Sequence, residues 1–176
     1  MTPDFYTKKQ VVYPKPFIRI CSMILDLSLI TLIISPVMQY VSLFLFRYIF
    51  ANEINLVGMS INSLEDIKLL FTSDTFVENL KASYFFTFLM SSIAIEYFLI
   101  SFYFIFCWVY FGSTIGKMFF KMKVLDLKTH QKLSISMATL RYLGYALSLF
   151  SVFTMPYSQK KRAVHDYVSG AVVIKS

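Results

Sequence analysis

Three long apolar runs, separated by two polar stretches of opposite charge, set the pattern of this chain. The first, Phe17 to Phe50, is long enough for one membrane span of about 20 residues plus an extension. Pro36 within it predicts a break or kink, which places the span proper at Phe17 to Tyr40. Residues 41–50 either continue a tilted helix or lie in the interface, with Arg47 and Tyr48 at headgroup level. From Ala51 to Ser83 the chain turns acidic, with Glu53, Glu65, Asp66, Asp74 and Glu78 against Lys68 and Lys81. Ser63-Leu-Glu-Asp66 and Thr75-Phe-Val-Glu78 both have capping-box spacing, so two short amphipathic helices are expected there. The second apolar run, Tyr84 to Phe111, is aromatic at both ends, as interfacial belts are.

Residues 112–136 form a basic loop, with Lys117, Lys121, Lys123, Lys128 and Lys132 against Asp126 alone. In it, Val124-Leu-Asp-Leu127 and Lys132-Leu-Ser-Ile135 flank four polar residues, the spacing of a short hairpin. The third run, Met137 to Pro156, is only just long enough to span, and Gly144 and Pro156 interrupt or end it. Cations at Lys8, Lys9, Lys15 and Arg19, and in the 112–136 loop, place the N-terminus and that loop in the cytoplasm by the positive-inside rule. A third full span would put Lys160, Lys161 and Arg162 outside, against the same rule. A re-entrant or broken helix over 137–157 resolves the conflict and returns the basic tail, with Val172-Val-Ile174 able to pair with the 124–127 segment.

Composition settles the class: 57% of the 176 residues are hydrophobic and 15% charged, against roughly 25% charged in soluble chains. The expected fold is therefore an all-α membrane protein, with two transmembrane helices, a third spanning or re-entrant helix, and a small cytoplasmic β element. One membrane domain covers 1–176: an N-terminal segment 1–16, membrane segments 17–50, 84–111 and 137–157, an acidic external loop 51–83, the basic loop 112–136 and a basic tail 158–176. The first segment begins too late and runs too long for a signal peptide, so a permanent span is expected. The net charge of +7 sits beside apolar runs rather than in a solvated patch, which argues against nucleic acid. Cys21 and Cys107 lack metal-ligand spacing and read as small apolar residues.

Four ionisable residues inside the apolar runs carry the most information: Arg19, Asp26, Glu96 and Arg141. A charge at the bilayer centre costs about 2.5 to 3.5 kcal/mol on insertion scales, so each needs a partner, an aqueous cavity or a task. Arg19 and Asp26 are seven residues apart and share a helical face, with Asp26 roughly 10 Å deeper. Glu96 lies at a depth similar to that of Asp26, with Ser91, Ser92 and Tyr97 as candidate partners. Two carboxylates at one depth suit holding a proton and exchanging it for a cation. His165 and Asp166 are adjacent and diverge by about 100° on a helix, so they cannot converge on one atom without an unwound turn, which argues against a catalytic dyad; Asp166 is better placed to accept from Arg19 or Arg141. Gly112-Ser-Thr-Ile-Gly116 reads as a turn leaving the membrane, and Lys117 after it lacks the spacing of a phosphate loop.

These pieces together resemble the RDD family of small bacterial membrane proteins, named for an arginine and two aspartates. The resemblance rests on Phe17-Ile-Arg-Ile-Cys-Ser-Met-Ile-Leu-Asp26, Gly112-Ser-Thr-Ile-Gly-Lys117, Lys123-Val-Leu-Asp126, Leu140-Arg141 and the run from Lys161 to Val173. It implies that Arg19, Asp26 and Asp166 are the three name-giving residues and that Arg141 and His165 fall on motif positions; Glu96 does not carry over. Thr129-His-Gln replaces the usual glycine turn, and Ala171 stands where threonine is common. Some members of the family are linked to sodium or proton antiport. The resulting expectation is a bacterial inner-membrane protein taking part in monovalent cation/proton transport. Asp26 would titrate, and Arg19 with Asp166 would act as a clamp. Two spans and a partial third cannot enclose a path alone, so a homo-oligomer or a membrane partner is expected. The alternative is a non-catalytic scaffold or assembly protein whose acidic loop is the partner surface. No nucleophile elbow, His-rich cluster or paired extramembrane carboxylates point to an enzyme, and no cofactor or metal is expected.

Overall fold

The computed structural model describes residues 12–147 and 162–175. The chain divides into two compact units, residues 1–29 with 101–176, and residues 30–100. Two long helices contribute to both: α1 (Pro16–Ile49) and α5 (Ala82–Phe106), the latter extended by a π-helical turn at Cys107–Phe111. Their most apolar 18-residue windows have mean hydropathies of 2.2 and 1.8, yet only 22% and 17% of those windows is buried. The core helix of a soluble protein would hide most of such a surface; here Phe17, Leu32, Phe44, Phe86, Phe98 and Phe102 stand exposed. Long apolar helices left bare on this scale mark a membrane protein.

The break expected at Pro36 does not occur, because α1 runs unbroken from Pro16 to Ile49 and residues 41–49 continue it. A proline deletes one backbone hydrogen bond and crowds the carbonyl four residues back, a loss that membrane helices tolerate.

The 30–100 unit holds three short helices rather than the two expected: α2 (Ala51–Val57), α3 (Leu64–Leu70) and α4 (Asp74–Asn79). They close over an aromatic core of Phe46, Phe50, Leu70 and Phe76, with Phe46 and Phe50 ring centroids 4.7 Å apart. The first capping box forms: Ser63 Oγ accepts from the Asp66 amide, and Asp66 Oδ2 accepts from the Ser63 amide at 2.8 Å and the Asn62 amide at 2.7 Å. Those amides hold the Asp66 carboxyl below its usual range. The second box does not form. Helix α4 begins two residues earlier than that box requires, at Asp74 with Ser73 in the cap position, so Thr75 lies inside the first turn and its carbonyl accepts from Asn79 instead, at 2.8 Å.

In the other unit the π-helical turn ends at Gly112, whose φ of +67° suits a residue without Cβ. Helix α6 (Ile115–Phe119), strand β1 (Met122–Asp126), helix α7 (Ile135–Leu143), a 3-10 turn (Gly144–Leu147), helix α8 (Val164–Ser169) and strand β2 (Ala171–Lys175) follow. The hairpin expected between 124–127 and 132–135 is not there: Ser134 caps α7, so Ile135 enters a helix. The other expected pairing is there, with β1 antiparallel to β2, Val124 opposite Val173 and Leu125 opposite Val172. The pairing ties β2 to the basic loop that carries β1. Of the expected third segment, α7 and the 3-10 turn are seen, while 148–157, including Pro156, lies outside the described residues, as do Lys160 and Lys161.

Candidate functional site

The first unit buries more charge than a small fold ordinarily tolerates: Arg19, Asp26, Lys117, Arg141, Arg162, His165 and Asp166 are all at or below 9% exposure. Asp166 is the third residue of α8, where its side chain turns back to accept the Ala163 amide at 3.0 Å. The same oxygen, Oδ2, accepts from Arg19 Nη2 on α1. On the other side, Arg141 Nη2 of α7 lies 2.8 Å from Asp166 Oδ1, an ion pair not aligned as a hydrogen bond. One carboxylate thus joins three helices that are far apart in sequence. Burial alone would raise the Asp166 carboxyl, but the guanidiniums of Arg141 and Arg19 outweigh it and hold the group well below the usual carboxylate range.

The guanidiniums have further support. Arg141, wholly buried, lies 5.0 Å from the centroid of the Trp108 ring, and Arg162 lies 4.1 Å from that of Tyr167. Arg162 also donates to the carbonyls of Ala171 at 3.0 Å and Asp166 at 2.7 Å, tying α8 to β2. His165 packs its ring 4.4 Å from that of Tyr145. Burial, followed by repulsion from Arg141 and Arg19, pushes the imidazole down to about 3 despite the attraction of Asp166. His165 is neutral at neutral pH, and it binds fewer protons folded than unfolded between about pH 6.5 and 3. Its contribution is therefore full above pH 6.5 and lost as pH falls through that window. The thermal midpoint of the wild type is expected to decline between pH 7 and 4, and His165→Gln to flatten that decline, as thermal scans across the range would read.

Asp26 sits one turn of α1 after Ser22 and meets a different group of partners. Its Oδ1 accepts the Gly116 amide at 2.7 Å and the Tyr103 hydroxyl at 3.2 Å; its Oδ2 accepts the Thr114 hydroxyl at 2.6 Å and lies 3.5 Å from Lys117 Nζ. Gly116 makes this approach feasible, since a Cβ there would stand 2.3 Å from the Ser22 carbonyl oxygen and 2.9 Å from Asp26 Cγ. Three hydrogen bonds and an ion pair on a carboxylate with 0% exposure leave it without an open face.

The structure therefore brings together Arg19, Arg141, His165 and Asp166, and places Asp26 in the same unit with its own donors. The shared face of Arg19 and Asp26 is real, although Arg19 meets α8 and Asp26 meets the start of α6. Glu96 belongs to α5 in the 30–100 unit, where it lines a groove; among the described residues none donates to it, Ser91, Ser92 and Tyr97 included. Tyr103, Trp108, Thr114, Gly116, Lys117 and Arg162 complete the network and were not expected. The signal for three of them was in Gly112-Ser-Thr-Ile-Gly-Lys117, where a hydroxyl, a glycine and a lysine follow a span and so meet whatever carboxylate faces them.

The RDD family model matches residues 13–170, which contain every member of this network. The chain is 34% identical over 172 residues to an uncharacterized protein of Rickettsia prowazekii (strain Madrid E), a match covering 96% of this chain and 99% of that protein. No solved structure matches the chain.

Proposed function

The chain belongs to the RDD family, and from that premise we propose that it is a non-catalytic scaffold or assembly protein of the bacterial inner membrane, whose signature charges hold its own helices in register. The observation that carries this reading is the closure of Asp26, an acid with every oxygen engaged and no exposed surface. A cation exchanging with a proton needs a carboxylate that can be reached and released, whereas a buried, fully bonded ionic group suits fixing register. Arg19 and Asp166 then act as the latch between α1 and α8 rather than as an ion gate. The partner would be another membrane protein or a second copy of the chain. Exposed Glu65, Asp74 and Glu78 on α3 and α4 supply the acidic surface for it. The N-terminus would face the cytoplasm, on the side where basic residues collect.

Monovalent cation/proton transport through the same network is the competing reading. Purified full-length chain in proteoliposomes separates the two. Scaffolding expects proton movement in response to a sodium or potassium gradient to match that of protein-free liposomes. Cation-driven proton movement in the wild type, lost in an Asp26→Asn chain that still folds, would establish transport instead.

A further inference from the structure

In the 30–100 unit, the α1 segment carries a stripe of polar residues in the middle of its apolar sequence: Thr31, Ser35, Gln39 and Ser42. They recur every three or four residues, so they share one helical face over about 16 Å of rise. Glu96, the fifteenth residue of the 30-residue apolar helix Ala82–Phe111, lies at its midpoint. All five line one open groove of about 410 Å³, which reaches Leu64 at the start of α3. Among the described residues no cation or hydrogen-bond donor meets the Glu96 carboxylate, and the ionic network of the other unit makes no use of it. A carboxylate at the centre of a span with no partner in its own chain marks a functional position.

The lining narrows the occupant. One carboxylate calls for a single positive charge, and the three hydroxyls and one amide add acceptors for N–H donors. The remaining wall is aliphatic, from Ile30, Ile34, Met38, Leu64 and Ile100. Quaternary ammonium recognition relies on aromatic faces, and none of these lining residues is aromatic. A bare alkali ion needs oxygens closing around it, whereas this groove has more than ten times the volume of about 30 Å³ that a water takes in the liquid. We propose that the groove binds a small primary ammonium ion, its three N–H donors shared among Glu96, Gln39 and one hydroxyl of the stripe and its short carbon chain along the isoleucines. This site is independent of the clamp, and its failure would leave the scaffold reading untouched.

Equilibrium binding of radiolabelled n-butylammonium to the full chain in lipid nanodiscs tests it. The wild type is expected to bind one ion per chain saturably, with affinity falling at least about tenfold in Glu96→Gln, where the charge partner is gone. Gln39→Leu is expected to weaken binding several-fold while leaving the carboxylate in place, which covers the case in which Glu96→Gln does not fold. Neither tetramethylammonium nor sodium at equal concentration should displace the label. Absence of saturable binding to the wild type, or unchanged affinity in both variants, overturns the proposal. Displacement by equimolar sodium overturns it in favour of an alkali-ion site, and one ion per two chains in favour of a groove completed by a second copy.

Discussion

Asp166→Ala is expected to cost about 3 to 5 kcal/mol, because it removes the shared anion and leaves Arg19 and Arg141 buried without it. The damage extends beyond charge. The Ala163 amide loses its acceptor at the start of α8, a loss worth about 1 kcal/mol. Asp166→Asn is the gentler comparison, since an amide oxygen can still accept from Ala163 while the charge is gone. Thermal unfolding in detergent, followed by trypsin cleavage of the folded chain, would read both. A midpoint far below wild type for alanine, with asparagine between, is the expected order. Equal stability of all three would show that the carboxylate holds nothing together.

Gly116→Ala is the second large effect, expected at about 3 kcal/mol or more, from overpacking together with a lost charge-assisted hydrogen bond. The new Cβ would meet backbone, the Ser22 carbonyl oxygen at 2.3 Å and the Asp26 amide nitrogen at 3.0 Å, as well as Asp26 Cγ at 2.9 Å. Backbone atoms of α1 cannot swing aside as a side-chain tip can. Helix α6 would have to back away, stretching the 2.7 Å bond from the Gly116 amide to Asp26 and moving Thr114 and Lys117 with it. Hydrogen exchange at the Gly116 amide and at residues 22–26 would report the opening, with protection expected to fall in both places at once. Unchanged protection at residues 22–26 would mean that the two segments do not depend on each other.

How much of this was legible beforehand differed from element to element. The two long helices followed from apolar length, and the β1–β2 pairing from strand-like runs that needed to share a side. Arg19 and Arg141 stood out because charge in oil is expensive, Asp166 as an acceptor suited to one of those arginines, and the resemblance to the RDD family connected them. The Pro36 break failed because a membrane helix can absorb the missing bond. Thr75 failed as a cap because α4 starts two residues sooner than the box requires, which moves Thr75 from the cap into the first turn, and capping-box spacing alone does not fix where a helix starts. Asp26 and Glu96 were paired by depth alone, and depth fixes one coordinate: the direction in which a side chain points depends on partners, here Thr114 and Gly116 for Asp26 and an open groove for Glu96. Gly116 itself was invisible as a binding residue, because its contribution is a bare amide and the absence of a methyl group.

The most direct measurement is a double-mutant cycle on Arg19→Ala and Asp166→Ala, with unfolding free energies of the full chain in one detergent. If this pair latches α1 to α8, the two changes should be strongly non-additive, with a coupling of at least about 2 kcal/mol. Additivity within about 0.5 kcal/mol would contradict the latch and leave the buried charges in need of another purpose.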